Sequence, residues 1–162
     1  MVRRIFLLAL GVSLLVGFDQ LSKYLVETRL EYQVPVEVMP FIAFFRTYND
    51  GVSFSMLSGF GANGLIAVSL AVLVVVLWIW STIDRARTFA HIGFTLISAG
   101  AIGNLIDRAT LGVVIDFIQF HTASWSFAIF NVADAYISVG VGAIILDEFL
   151  AWRNSKKTQE NN

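Results

Sequence analysis

The sequence has no cysteine, and this absence excludes several kinds of chemistry. Without a thiol the chain forms no disulfide, no thiolate metal site and no cysteine nucleophile, and it cannot itself carry a lipid on cysteine. His91 and His121 are the only histidines, and they do not stand at the spacing of a metal motif such as HExxH. The serine nucleophile motif GxSxG is also absent. We therefore expect no metal and no cofactor.

Charged residues are also scarce. They make up 14% of the 162 residues, whereas 57% of the residues are hydrophobic. A typical soluble domain has about 25% charged residues, so a soluble protein of this composition could not cover its surface. The formal net charge of −1 argues against a general nucleic-acid binder, and we expect no nucleic-acid partner. The composition predicts a membrane protein.

Four apolar segments are long enough to cross the roughly 30 Å hydrocarbon core of a bilayer. The first could be a cleaved signal peptide, but Asp19, Gln20 and Lys23 stand where small residues would mark a cleavage site, so a retained helix is favoured. We predict a membrane all-α fold, a four-transmembrane-helix bundle that forms one domain over residues 1–162. The predicted spans are residues 5–26, 65–83, 89–106 and 132–151.

The loop of residues 27–64 is expected to form a small β-sheet outside the bilayer. Its prolines and charges exclude a span, and residues 34–40 and 41–48 have the pattern of extended segments. Tyr48 to Gly51 predicts a turn, in which Gly51 can adopt a positive φ. Aromatic side chains of this loop either contact headgroups or an acyl chain, or pack the sheet. They are Phe41, Phe44, Phe45, Phe54 and Phe60.

The basic residues are distributed unevenly between the two ends of the predicted spans. Those on the side of both termini are Arg3, Arg4, Arg85, Arg87, Arg153, Lys156 and Lys157, and those on the other side are Lys23, Arg29, Arg46 and Arg108. The excess places both termini in the cytoplasm and the loops 27–64 and 107–131 outside. Residues 113–120 in the second loop alternate like a strand, and the polar residues 152–162 predict a disordered C-terminal tail.

Asp116 and Asp134 are the candidate catalytic residues. Asp116 follows the third span and Asp134 opens the fourth, so antiparallel helices bring both to one membrane face. Two carboxylates held close together cannot easily both ionise, so one keeps its proton. Such a pair can activate a water as general base and protonate a leaving amine, which is peptide hydrolysis. The alternative is that Asp134 only caps a helix and that Asp116 pairs with Arg108.

Further polar residues fall at the predicted depth of this pair, namely Asp19, Asn104, Asp107, Arg108 and Asn131. Asn104 and Asn131 can donate hydrogen bonds to a carboxylate or a substrate carbonyl. Asp19 and Lys23 share a helix face, either as a neutralised pair at the membrane edge or as part of a polar site. We expect Arg108 to be structural, bonded to a neighbouring acid or a loop carbonyl. A non-enzymatic carrier or assembly factor, whose buried acids bind a cation or proton, is the alternative function.

Five sequence blocks resemble the bacterial lipoprotein signal peptidase (signal peptidase II) family. They are DQLSK at 19–23, NDGVSFS at 49–55, GAIGNLIDR at 100–108, VIDF at 114–117 and FNVAD at 130–134. The chain departs from the family pattern at Ala99, where a glycine is frequent, and at Val52 and Ser53. None of these positions is one of the two candidate acids, so the departures concern local packing.

The resemblance implies an intramembrane aspartic endopeptidase with Asp116 and Asp134 as its dyad. The implied substrate is a prolipoprotein whose cysteine carries diacylglycerol, and cleavage falls just before that cysteine. The resemblance further implies a multi-pass protein of the bacterial inner membrane with its active site at the outer leaflet, in contact with membrane lipids, and inhibitors of the globomycin type that lodge between the two aspartates. We also expect a monomer. The matching substrate-binding or supporting positions are Asp19, Lys23, Asn49, Gly51, Asn104, Arg108 and Asn131.

Overall fold

The computed structural model describes residues 2–51 and 61–160 of the chain. Phe54 and Phe60, for which the sequence left open a contact with lipid or packing against the sheet, lie outside these residues. The helices are α1 (Val2–Arg29), α2 (Gly61–Thr82), α3 (Thr88–Leu111) and α4 (Val132–Glu160). The strands are β1 (Val36–Met39), β2 (Ile42–Asn49) and β3 (Val114–Phe120).

All four helices are long and apolar enough to cross a membrane, which confirms the predicted four-span fold. Two boundaries differ from those expected. Helix α3 continues to Leu111, so Asp107 and Arg108 are helical and do not lie in the second loop. Helix α4 continues to Glu160, so the prediction of a disordered tail from residue 152 is wrong up to that residue. Residues 152–160 contain neither proline nor glycine, and Lys156 lies 4.4 Å from the ring centre of Trp152 one turn earlier.

Helix α3 packs against all three other helices, most extensively against α4. Small residues make the close approach of α3 and α4 possible. A Cβ atom added to Gly93 would lie 2.6 Å from the carbonyl oxygen of Gly140, and one added to Gly140 would lie 2.7 Å from that of Gly93. Farther along, a Cβ atom at Gly100 would collide with the carbonyl oxygen of Ala133. This contact fixes the first turn of α4, which carries Asp134, against α3.

The strands form one antiparallel sheet in the order β1-β2-β3, which confirms the predicted small sheet. Its inner face packs Val26 of α1 against Ile115 and Phe117 of β3. Strand β3 begins directly after α3, where Gly112 ends the helix with φ +78°. Strands β2 and β3 pair Thr47 with Asp116, so the sheet holds Asp116 next to the end of α3.

Candidate active site

Asp116 and Asp134 lie at one polar site, and Asn131 bonds to both of them. The side chain of Asn131 is fully buried, and its Nδ2 donates to Oδ1 of Asp116 over 2.8 Å. The backbone N–H of Asn131 donates to Oδ2 of Asp134 over 3.2 Å. Asn104 of α3 adds a second donor to Asp134, since its Nδ2 lies 2.8 Å from Oδ1 of that carboxylate. Strand β3, helix α3 and helix α4 therefore converge on the two acids.

Asn131 is also the N-cap of α4. Its Oδ1 accepts the backbone N–H of Asp134 over 2.9 Å, and Asp134 bonds back to the N–H of Asn131. This reciprocal pair has the pattern of a capping box. The alternative that Asp134 caps a helix is thus realised, but the same carboxylate also takes part in the polar site. The other half of that alternative, Asp116 paired with Arg108, is not among the contacts of the described residues.

Asp116 is 2% exposed, and its carboxylate accepts hydrogen bonds from two amides. The pKa of Asp116 is raised from an ordinary value of 3.8 to about 6, mainly by burial and to a smaller extent by the negative charge of Asp134. Hydrogen bonds from Asn49 and Asn131, and the positive charge of Lys23, lower it. The balance leaves Asp116 as a carboxyl group that keeps its proton to a higher pH than a solvated aspartate.

Asn49 and Gly51 connect the first loop to this site. Asn49 ends β2, and its Nδ2 donates to Oδ2 of Asp116 over 2.9 Å. The Oδ1 of the same side chain accepts the N–H of Gly51 over 2.9 Å and closes the predicted turn. Gly51 has φ +83°, and a Cβ atom there would lie 2.5 Å from a methyl group of Leu65. Asn49 therefore contacts a candidate acid, whereas Gly51 belongs to the turn that Asn49 closes.

A buried ion cluster lies against the same site. The Nζ of Lys23 is 2.9 Å from Asp19 and 2.8 Å from Asp107, and all three side chains are at most 2% exposed. Lys23 also donates to Oδ1 of Asn104 over 3.1 Å. Of the two interpretations that the sequence left for Asp19 and Lys23, the structure selects the polar interior. Asp107 and Gln20 belong to this cluster but were not among the predicted site residues.

Arg108 has a different partner from those expected. Its Nη1 lies 3.5 Å from the backbone carbonyl oxygen of Asn104, one turn earlier in α3. Of the acids that the sequence left open as partners of Arg108, Asp107 pairs with Lys23 and Asp116 is bonded by Asn49 and Asn131. The spacing of Asp107 in α3 contained the signal for this, since a residue three positions after Asn104 lies on the same helix face.

Four helices able to span a membrane bring two aspartates to one polar site, an arrangement that is typical of a membrane-embedded hydrolase of the acid–base type. The model of the signal peptidase (SPase) II family matches residues 12–150, and the chain belongs to this family. The lipoprotein signal peptidases of Brucella ovis and of Brucella abortus strain 2308 are each 52% identical over 145 residues, which cover 90% of this chain and 91% of the relative.

Solved structures agree with this assignment. A bacterial membrane enzyme determined by the in meso method at 2.3 Å resolution superimposes with a TM-score of 0.81 and 29% identity over 93% of this chain and 92% of the other. A second bacterial membrane enzyme, determined by the same method at 1.9 Å resolution, superimposes with a TM-score of 0.79 and 31% identity over 88% of this chain and 92% of the other. The chain is therefore an inner-membrane protease that removes the signal peptide from prolipoproteins. The alternative of a non-enzymatic carrier or assembly factor is not favoured.

Proposed function

We propose that Asp116 and Asp134 are the catalytic dyad of this peptidase and that they share one proton in the free enzyme. The observation that carries the proposal is the position of Asn131, whose side chain and backbone N–H bond to one acid each. Asn104 donates a second hydrogen bond to Asp134, and Asn49 donates a second hydrogen bond to Asp116. Their arrangement supports an aspartic mechanism, in which a water and a scissile carbonyl lie between the two acids.

In this mechanism Asp116 carries the shared proton and Asp134 is the base. Burial of Asp116 favours its neutral form, whereas Asp134 is only partly buried, and we assign it the function of the base. Asp134 removes a proton from water as the water oxygen bonds to the scissile carbonyl carbon, and Asp116 gives its proton to the carbonyl oxygen. When the C–N bond breaks, Asp134 passes its new proton to the leaving amine and Asp116 recovers its own.

The proposed substrate is a prolipoprotein with a diacylglyceryl cysteine, cleaved just before that cysteine. The relatives named lipoprotein signal peptidase support this class of substrate. Large apolar side chains are exposed around the sheet and the second loop, where a lipid chain can lie against them: Met39, Phe41, Phe120, Trp125 and Phe127. Purified full-length protein mixed with a synthetic diacylglyceryl prolipoprotein tests the function by mass spectrometry. Release of the signal peptide supports it, and an intact substrate contradicts it.

We also propose that the enzyme acts as a monomer in contact with membrane lipids. Inhibitors of the globomycin type occupy the space between Asp116 and Asp134, and they compete with the substrate there. Asp19, Lys23, Gly51 and the other supporting residues act by positioning this site.

Both termini are proposed to lie in the cytoplasm, with the dyad at the outer leaflet. The distribution of basic residues supports this orientation. Because the chain has no cysteine, single-cysteine variants give an unambiguous test. Asn63→Cys at the start of α2 is expected to react with an impermeant thiol reagent added to intact cells. Ala86→Cys between α2 and α3 is expected to react only after the membrane is opened, and the reverse pattern would overturn the orientation.

The pKa of Asp116 leads to a prediction about pH dependence. A carboxyl group with a pKa of about 6 keeps its proton below that pH and loses it above. If the singly protonated dyad is the active form, kcat/KM of the free enzyme falls as pH rises through about 6. This fall in kcat/KM is the alkaline limb of the pH profile. Asn49→Ala removes a hydrogen bond that lowers the pKa of Asp116, so the alkaline limb is expected to move up by about one pH unit.

The control for this experiment is Gln119→Ala, three residues after Asp116 on β3. The side chain of Gln119 donates to Ser126 and does not contact the dyad. Its pH profile is expected to match that of the original protein. If the alkaline limb of the Asn49→Ala profile stays at the same pH or moves to a lower pH, then Asp116 does not carry the proton that the reaction uses.

A further inference from the structure

The residue before each catalytic aspartate is held by a buried carboxylate. The backbone N–H of Ile115, which precedes Asp116, donates to Oδ2 of Asp107 over 3.2 Å. The backbone N–H of Ala133, which precedes Asp134, donates to Oδ1 of Asp19 over 2.9 Å. Asp107 therefore fixes β3 at the dyad, and Asp19 fixes the first turn of α4 at the dyad. The two acids have matching structural functions.

Lys23 links these two carboxylates. Its Nζ lies 2.8 Å from Asp107 and 2.9 Å from Asp19, so a single ammonium group connects the anchors of β3 and of α4. The side chain of Gln20, one turn earlier in α1, forms a second, uncharged link. Its Nε2 lies 2.8 Å from Oδ1 of Asp107 and 3.2 Å from Oδ2 of Asp19.

Lys23 and Asn131 together orient the amide of Asn104. The Oδ1 of Asn104 accepts hydrogen bonds from Lys23 and from Asn131, each over 3.1 Å. With that oxygen occupied by two donors, the Nδ2 of Asn104 is left to donate to Asp134. Lys23 thus reaches Asp134 by two routes, through Asp19 and the helix backbone and through Asn104.

Stability alone does not account for this cluster. Two buried carboxylates and one ammonium group leave a net charge of −1 away from water, and apolar residues of similar volume would usually stabilise a protein as well or better. The fold also has no side chain at position 103 of α3, where Asp19 occupies the space. A Cβ atom on Gly103 would lie 2.5 Å from Oδ2 of Asp19, so this position of α3 must be glycine for Asp19 to fit. A requirement of geometry explains the cluster better than a requirement of stability.

We propose that Lys23 is a positioning residue that sets the relative placement of the two catalytic aspartates, by holding together the carboxylates that anchor the backbone of each. The proposal rests on Asp116 and Asp134 being the dyad. Lys23 contacts neither acid directly, so it acts on the reaction through Asp19, Asp107 and Asn104. A misplacement of reacting groups by about 1 Å costs on the order of 10²-fold in rate, which is the effect that loss of this link should have.

The double variant Lys23→Met/Asp107→Asn separates position from charge. It removes one positive and one negative charge, so the cluster keeps its net charge of −1. An asparagine at 107 still offers an oxygen to the N–H of Ile115, but the link to Asp19 through Lys23 is lost. We expect kcat on the lipidated substrate to fall about 10²-fold and KM to change less than about threefold.

The single variants complete the experiment. Lys23→Met alone leaves two unpaired buried carboxylates and removes a charge that lowers the Asp116 pKa, so its pH limb is expected to move up. Gln20→Leu removes only the uncharged link and is expected to lower kcat about tenfold with the protein fully folded. Arg87→Gln is the structural control, because it breaks a partly buried ion pair with Asp147 at the end of α3 that lies away from the dyad. It is expected to lower the thermal unfolding midpoint and leave kcat unchanged.

The outcomes distinguish this proposal from the proposed function. Unchanged kcat in the double variant and in Gln20→Leu, with Asp134→Asn inactive, overturns the positioning function of Lys23 and leaves the dyad intact. If kcat returns to the original value in the double variant but not in Lys23→Met, Lys23 acts through charge alone, and the proposal is again wrong. An active Asp134→Asn enzyme would refute the dyad itself.

Discussion

Replacement of either Asp116 or Asp134 by asparagine is expected to lower kcat at least about 10³-fold. Asparagine has nearly the same shape as aspartate, but it can neither take a proton from water nor give one to the carbonyl oxygen or the leaving amine. General acid–base catalysis by a single side chain contributes about 10²- to 10⁴-fold, and here each step of the proposed reaction uses both acids. The measurement is the rate of signal peptide release from a diacylglyceryl substrate by purified full-length protein.

Asp147→Asn is the matched control for these two substitutions. Like Asp134, Asp147 is an aspartate of α4, but it is buried and pairs with Arg87. Its loss is expected to reduce the free energy of unfolding and to leave kcat within about twofold, since it does not touch the reacting atoms. Thermal unfolding in detergent shows that each variant is folded. Release of signal peptide at the original rate by both Asp116→Asn and Asp134→Asn would refute the aspartic mechanism.

The second large effect is expected from the substrate. A prolipoprotein that lacks the diacylglyceryl group should be cleaved with a kcat/KM at least about 10²-fold lower than the lipidated form. Each buried methylene group of an acyl chain contributes about 0.8 kcal/mol, so burial of about four methylene groups against the protein already gives about 3 kcal/mol, or roughly a factor of 10². The exposed apolar side chains around the sheet are suited to that contact.

This prediction is checked with two synthetic substrates that differ only in the lipid. Both are assayed in the same mixed micelles, so that their local concentrations are comparable. A substrate with short acyl chains is the graded control, and its kcat/KM is expected to lie between the two. Equal kcat/KM values for the lipidated and unlipidated peptides would show that the enzyme does not recognise the lipid.

Most of the helical architecture could be read from the sequence, because membrane spans are determined by local composition. A run of about 20 apolar residues is sufficient to predict a spanning helix, whatever it packs against. The turn at Gly51 was likewise predictable, since the positive φ it adopts is a property of glycine itself. The C-terminal tail was mispredicted because polarity was taken for disorder, although residues 152–160 contain no helix breaker.

The residues of the candidate site could be predicted from the sequence, but the contacts between them could not. Sequence position placed Asp116 and Asp134 at one membrane face, and both lie at one site in the structure. It did not indicate that Asn131 would bond to both, that Asp107 would pair with Lys23, or that Gln20 would join the cluster. Arg108 next to Asp107 suggested a local pair, but side chains adjacent along a helix point in different directions.

The sequence by itself determined the membrane class, the four spans, the small sheet and the candidate acids between Gly103 and Asp134, because each depends on composition or on neighbours within a few residues. Only the tertiary structure decided how those acids are held. Asp19 reaches Ala133 across 114 positions of the chain, and Lys23 reaches Asn104 across 81. Such contacts exist only after Gly93 and Gly100 let α3 and α4 pack closely and α1 closes over them. No pattern of neighbouring residues in the sequence predicts these contacts.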